Sequence, residues 1–244
     1  MKLNWKSGLS KVVMASSSIT VISLIAVPAQ AANLLQNGSF ENTNGTFVNN
    51  GLGAMSLPTG STTIPGWTTI NQELGWLNNN NIYGPVITPF GDYFLDLTGY
   101  HDSFPYGGVT QTISTTVGST YKLSLNLGVN NPFYPGPISV RATAGSTSQT
   151  FTFNSSETGN QWGQFNLDFT ASSTSTPISI VGISSASGVY LGGFYLGLDN
   201  VSVEEQNVAI PEPLTILGTV TALSFGTFFR GKLSKKQNKG SNKA

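Results

Sequence analysis

The chain has 244 residues, of which 9% are charged, with 28 Gly and no Cys. Absent Cys excludes disulfides, thiolate nucleophiles and Cys-based zinc sites, so stability must come from a packed core or a bound ion. The formal net charge of zero hides an asymmetry: both ends are basic, whereas from Ala32 to Ala209 two cations, Lys122 and Arg141, face ten carboxylates, a net of −8. So few cations cannot neutralise a phosphate backbone, which argues against nucleic-acid binding.

In chain order, residues 1–31 read as an export signal. Lys2, Lys6 and Lys11 precede an apolar stretch from Val12 to Val27, and the small residues Ala29 and Ala31 mark cleavage after Ala31. The mature chain then starts at Ala32, outside the cytoplasm. A retained signal anchor is the alternative, disfavoured because Ser16, Ser17 and Ser18 interrupt a short apolar run.

Residues 32–206 read as strands, because apolar residues recur at alternate positions in runs bounded by Gly, Pro, Asn and Ser. "NLLQN" opens the series, followed by a long irregular stretch from Asn42 to Gly91 that holds Trp67 and Trp76. "YFLDL" and "GGVTQTI" come next, then "TYKLSLNLGV", in which Tyr121, Leu123, Leu125, Leu127 and Val129 share one face and Lys122, Ser124 and Asn126 the other. "ISVRATA", "SQTFTF", "QFNLDFT", "PISIVGI" and "YLGLDNVSV" complete nine or ten expected antiparallel strands. So many short strands with no helix-period segment predict an all-β, two-sheet sandwich.

Residues 207–244 close the chain with Pro211-Glu212-Pro213, an apolar run from Leu214 to Phe229, and a basic tail, 230–244, that starts at Arg230 and is rich in Lys. As a helix that run spans about 24 Å, short of the ~30 Å hydrocarbon core of a bilayer. Its basic tail would stay cytoplasmic and leave the large segment outside. The order of motif, apolar helix and basic tail resembles the PEP-CTERM sorting signal of bacterial proteins associated with exopolysaccharide. The resemblance implies recognition by a membrane exosortase after the secretion machinery, with the inner membrane held transiently or through the C-terminal helix. An ordinary tail anchor is the alternative.

"NLLQNGSFE", "IPGWT", "GDYFLDLTG", "GGVTQTISTTVGSTYKLSLNLGVN" and "LGLDNVSV", in that order, are similar to the galactose-binding-like jelly roll of bacterial surface proteins, related in shape to carbohydrate-binding modules. That resemblance covers roughly Asn33 to Glu205 and implies a jelly-roll β-sandwich between an N-terminal signal helix and a C-terminal hydrophobic helix. It also implies that the first and last strands lie side by side, their "SFE" and "LDN" segments holding a structural calcium.

Several residues are candidates for chemistry. Asp199 has the strand parity of Val201 and Val203, which places a carboxylate inward; a buried carboxylate needs a partner. A Ca²⁺ held by Asp199, Glu41 and backbone carbonyls around Ser39 would supply one; an exposed or backbone-bonded Asp199 is the alternative. Gln111 shares parity with Val109 and Ile113 and reads as a satisfied core amide, with ligand contact as the other reading. Sugar rings stack on flat side chains, and among the aromatics in loop-like segments Tyr100, Tyr106, Tyr134 and Trp76 are taken as carbohydrate-binding, the first three as exposed. Trp67 and Trp162 are expected to pack.

Catalysis has thinner support. Asp92, Asp96 and Asp102 cluster in "GDYFLDLTGYHD", the carboxylate-rich pattern of glycosidases, and His101 with Asp102 and Ser103 formally permits a triad. Neither G-x-S-x-G nor H-E-x-x-H occurs. The expectation is a non-catalytic, exported protein of the cell surface or extracellular matrix that binds extracellular polysaccharide. A purely structural matrix protein is the alternative from another class, and a glycan hydrolase a minor one.

Overall fold

The alternating runs do form strands, and the computed structural model describes residues 32–83, 86–188 and 193–206. The signal segment with Ala29 and Ala31, the C-terminal segment with Pro211, Glu212, Pro213 and Arg230, and Tyr190 lie outside the described residues. Thirteen strands are described: β1 (Ala54–Leu57), β2 (Thr68–Ile70), β3 (Leu74–Asn78), β4 (Tyr93–Asp96), β5 (Gly108–Ser114), β6 (Thr120–Asn131), β7 (Ile138–Ala144), β8 (Thr147–Phe153), β9 (Gly159–Thr170), β10 (Ser175–Ser184), β11 (Ala186–Ser187), β12 (Phe194–Tyr195) and β13 (Gly197–Glu205). Among the described residues no helix is long and apolar enough to cross a membrane.

Two sheets carry the architecture, ordered β1-β3-β4-β13-β6-β9 and β2-β5-β10-β7-β8. The hairpin β7–β8 is nested inside β6–β9, then β5–β10, then β4–β13, every pair antiparallel. Eight strands folded back as one long hairpin and distributed over two sheets make a jelly roll. β1 and β3 extend one sheet beyond β4, and β2 edges the other. The stretch from Asn42 to Gly91 is therefore not the long loop its composition suggests; it holds three short strands that cap the sheet edges.

One core fills the space between the sheets, with Leu74, Trp76, Leu95, Leu123, Leu125, Leu127 and Leu198 from the first and Val109, Val140, Ile178 and Ile180 from the second. β6 shows how the layers are set. Over its first half only the Tyr121, Leu123 and Leu125 face is buried, and Lys122 on the other is exposed. From Asn126 to Asn130 both faces are buried, because loops cover the outer face of the sheet there. Asn126 and Asn130 are each 5% exposed.

"NLLQN" is not a strand. It runs beside β13 through two backbone bonds, Leu34 N–H to Val203 O at 2.8 Å and Val201 N–H to Gly38 O at 2.8 Å, so the two ends of the domain do lie side by side. Asn33 Oδ1 accepts the Leu35 and Val203 N–H groups. The Gln111 amide clamps the same segment: its Oε1 accepts Gln36 N–H at 2.6 Å and its Nε2 donates to Gln36 O at 2.9 Å. Gln111 is thus a satisfied amide as expected, but half-buried at the domain edge rather than in the core.

Candidate functional site

The covered half of the first sheet holds the site. Register fixes its floor: Ala54 pairs with Leu77, Gly75 with Asp96, and Asp96 with Gly197. These residues share the face opposite Trp76, Leu95 and Leu198, so they look away from the core. Gly75 keeps the floor low beside Asp96, while Gly197 makes room for Tyr195, since a side chain at Gly197 would meet Gly128 O at 2.8 Å and the Tyr195 ring and hydroxyl at 3.0 Å.

Loops raise walls on this floor and leave a pocket of about 260 Å³, with Ile82, Tyr83, Tyr100, Asp102, Tyr134 and Phe194 among its lining. Tyr83 and Tyr100 meet edge to face with ring centroids 5.5 Å apart. Their hydroxyls are joined at 3.0 Å, and Asn50 Nδ2 donates to both. Across the pocket Tyr134 and Tyr195 meet at 5.3 Å, and the Tyr134 hydroxyl donates to Tyr83 O at 2.9 Å. Burial, with Tyr83 beside it, pushes the Tyr100 phenol up; burial, then Asp96, does so for Tyr134 and strongly for Tyr195. All three remain neutral at physiological pH.

Asp96 lies at the base, 8% exposed. Its Oδ1 accepts Thr98 N–H at 3.1 Å, Thr98 Oγ–H at 2.9 Å and Leu196 N–H at 3.0 Å. Burial nonetheless pushes its carboxyl up to about 7, against those hydrogen bonds and with a smaller push from Asp102. Asp102, at a φ of 49°, uses Oδ1 to accept Phe194 N–H at 2.9 Å. The Tyr195 hydroxyl is buried with no hydrogen-bond partner among the described residues.

The aromatic candidates divide. Tyr100 is exposed, as expected, at 45%, and lines the pocket. Tyr134 lines it too, but is 7% exposed, because it lies under the Tyr83 loop. Tyr106 is buried rather than exposed: its hydroxyl accepts from Ser185 and its ring packs on Phe104. Trp76 is a fully buried core residue packed on Phe47 and Tyr93, its indole N–H unpartnered among the described residues. Trp67 is buried, as expected, and donates to Asn37 O. Trp162 covers Gly128 on the outer face and donates to Ile87 O. Of the acidic cluster, Asp96 and Asp102 come together while Asp92 lies exposed at the other end of β4; His101 and Ser103 are both exposed. Tyr83 and Tyr195 were not singled out from sequence. Tyr83 sits in an Asn- and Gly-rich loop like that of Tyr134 and carried the same signal; Tyr195, in a strand pattern, carried none.

Asp199 is wholly buried, but not where its parity implies. Leu198 pairs with Leu127 and Val203 with Leu123, while the register shifts between Asp199 and Ser202, with Asn200 at a φ of 50°. The bulge reverses the alternation. Asp199 therefore shares the outer face with Asn126 and is buried by the loop that carries Thr88, whose hydroxyl donates to its Oδ2; Asn200 N–H binds Oδ1. Burial pushes its carboxyl up to about 7, with Glu41 adding repulsion. Glu41 in turn accepts the Asp92 and Tyr93 N–H groups. Two neighbouring carboxylates, one buried without a cation, fit a hard divalent ion in charge. Among the described residues no group of three His, Cys, Asp or Glu comes together, so backbone oxygens would complete such a site.

Residues 33–190 match a family model described as protein of unknown function, DUF642. No curated protein matches the chain. Solved structures with a similar fold include the native family 35 carbohydrate binding module from Clostridium thermocellum, at 11% identity and a TM-score of 0.39, covering 61% of this chain and 97% of that one. TmCBM61 in complex with β-1,4-galactotriose has 12% identity and a TM-score of 0.36, covering 72% and 100%. The CBM22-1-GH10 modules of xylanase 10B from C. thermocellum, complexed with xylohexaose, have 14% identity and a TM-score of 0.39, covering 59% of this chain and 27% of that one. Likenesses this distant carry no argument about a ligand.

Proposed function

Because this chain belongs to the DUF642 family, whose description names no activity, its function has to be argued from the site, and we propose that it is a non-catalytic carbohydrate-binding protein of the extracellular polysaccharide. The observation that carries this is the tyrosine-walled pocket over Asp96 and Asp102. Sugar rings present C–H faces to aromatic rings and hydroxyls to carboxylates, and this pocket offers both. At about 260 Å³ it is smaller than the roughly 300–1,000 Å³ typical of small-molecule sites, which suits one sugar unit rather than a stretch of chain.

The ends of the sequence support the same setting. An export signal over 1–31 and a PEP-CTERM-like signal over 207–244 would deliver the jelly roll outside the cell through an exosortase. A calcium ion on Glu41, Asp199 and the Ser39 backbone would fasten the two ends of the domain and supply the charge that buried Asp199 lacks. Two carboxyls, Asp96 and Asp102, at one pocket also suit glycoside hydrolysis, so the binding assay should be read for new reducing ends; none are expected.

The test is depletion of the purified full chain by its host's isolated extracellular polysaccharide. Wild-type chain is expected to bind saturably, and Tyr100→Ala, which removes one pocket wall, about tenfold more weakly. Undiminished binding by the variant would remove the pocket from the account.

A further inference from the structure

The described residues that line the pocket include two carboxylates and no Lys or Arg. Lys122 and Arg141, the two such cations among the described residues, are both exposed, on β6 and β7. Within the described residues only Oδ1 of Asp96 and of Asp102 accepts a hydrogen bond, which leaves one oxygen of each unused. Around them stand the rings of Tyr83, Tyr100, Tyr134 and Tyr195, whose faces attract a cation within about 6 Å of the centroid.

Three classes of sugar meet this arrangement differently. A neutral sugar gains ring stacking but leaves buried Asp96 and half-buried Asp102 without a counter-charge. A uronate adds further negative charge beside two acids. An ammonium group donates N–H bonds to both free oxygens and lies against aromatic faces. A second, independent sign of a missing polar group is Tyr195: it is 3% exposed, lines the pocket, and its hydroxyl has no partner among the described residues and lies near Gly197, the strand neighbour of Asp96. A buried hydroxyl left unpaired costs about 1–3 kcal/mol.

Resting on the carbohydrate reading above, we infer that the pocket selects an amino sugar: a glycan unit with a free ammonium group held between Asp96 and Asp102 and caged by the tyrosines. Selection is then by charge, and N-acetylation of the amine removes it.

The test titrates the full chain at neutral pH and physiological salt with glucosamine and galactosamine oligomers, each against its N-acetylated counterpart, and with galacturonate oligomers. Calorimetry should show an amine form binding at least about tenfold tighter than its N-acetylated form, with galacturonate unmeasurable. That preference should collapse in Asp102→Asn, whose amide oxygen can still accept Phe194 N–H. Equal binding by amine and N-acetyl forms overturns the amino-sugar assignment and leaves the carbohydrate reading standing; no binding by any oligomer overturns both. A preference that survives in both Asp102→Asn and Tyr100→Ala also overturns it, because a polycation drawn only to the domain's net negative charge would behave so.

Discussion

At the scale of single residues, Asp96 is the most expensive side chain in the pocket. Three donors converge on one of its oxygens, yet burial still holds its carboxyl at about 7 against a usual value of 3.8. The folded protein therefore binds this proton more tightly than the unfolded chain does. Its stabilising share is complete below about pH 4 and is lost as the pH climbs through about 7. Asp96→Asn keeps the oxygen that the Thr98 and Leu196 donors use and cannot ionise. Urea unfolding should find the variant close to wild type at about pH 4 and more stable by about 2 kcal/mol at about pH 8. An equal difference at both pH values would show that Asp96 does not titrate as described. Tyr106 shows the limit of a residue-scale reading: its Gly- and Pro-rich neighbours suggested an exposed tip, but the loop folds inward so that its hydroxyl meets Ser185.

At the scale of elements, the covered face depends on glycines where side chains elsewhere cross over. Gly128 on β6 pairs with Trp162 on β9, and a Cβ there would lie 2.4 Å from the indole ring. Trp162 in turn holds the 86–90 loop through Ile87 O and packs on Phe90 and Phe94. Gly128→Ala should displace the indole and cost about 1–3 kcal/mol, with faster amide exchange over residues 86–90; unchanged stability and exchange would mean that the loop stands without the tryptophan. β4–β10 and β13 were legible because Leu, Val, Phe and Ile alternate along them, whereas β11 and β12, of two residues each, were not. β1–β3 were not, since runs such as "AMSL" and "TTI" are too short to show a period. The outward placement of Asp199 was misread for a different reason: Leu196 and Leu198 lie at even positions and Val201 and Val203 at odd ones, so the alternation changes phase across Asn200, and Asp199 was assigned the parity of the residues after the bulge rather than of those before it. The pocket was legible only in pieces. Tyr100, Tyr134, Asp96 and Asp102 could each be named, but their meeting depends on the nesting of β4–β13 and on where the covering loops land.

At the scale of the whole molecule, a domain without disulfides carries two buried carboxyls on one sheet face and a strongly acidic balance. Calcium on Glu41 and Asp199 is the compensation we propose, joining the segment before β1 to the last strand. Millimolar calcium should then raise the melting temperature by about 3–8 °C over chelator, and Glu41→Gln should abolish the increment; a melting temperature indifferent to calcium in the wild-type chain would remove the ion from the account. The same acidic balance fits life among uncharged or cationic polymers better than among anionic ones.

The central claim is that sugar binds in the tyrosine pocket, and the most direct measurement is a map of backbone and tyrosine-ring chemical shifts during titration with soluble oligosaccharides from the host polysaccharide. Saturable shifts confined to Tyr83, Tyr100, Asp102, Tyr134, Phe194 and their neighbours are predicted. Shifts clustered on the exposed face of the β5-β10-β7 sheet, or none at saturating sugar, would contradict it.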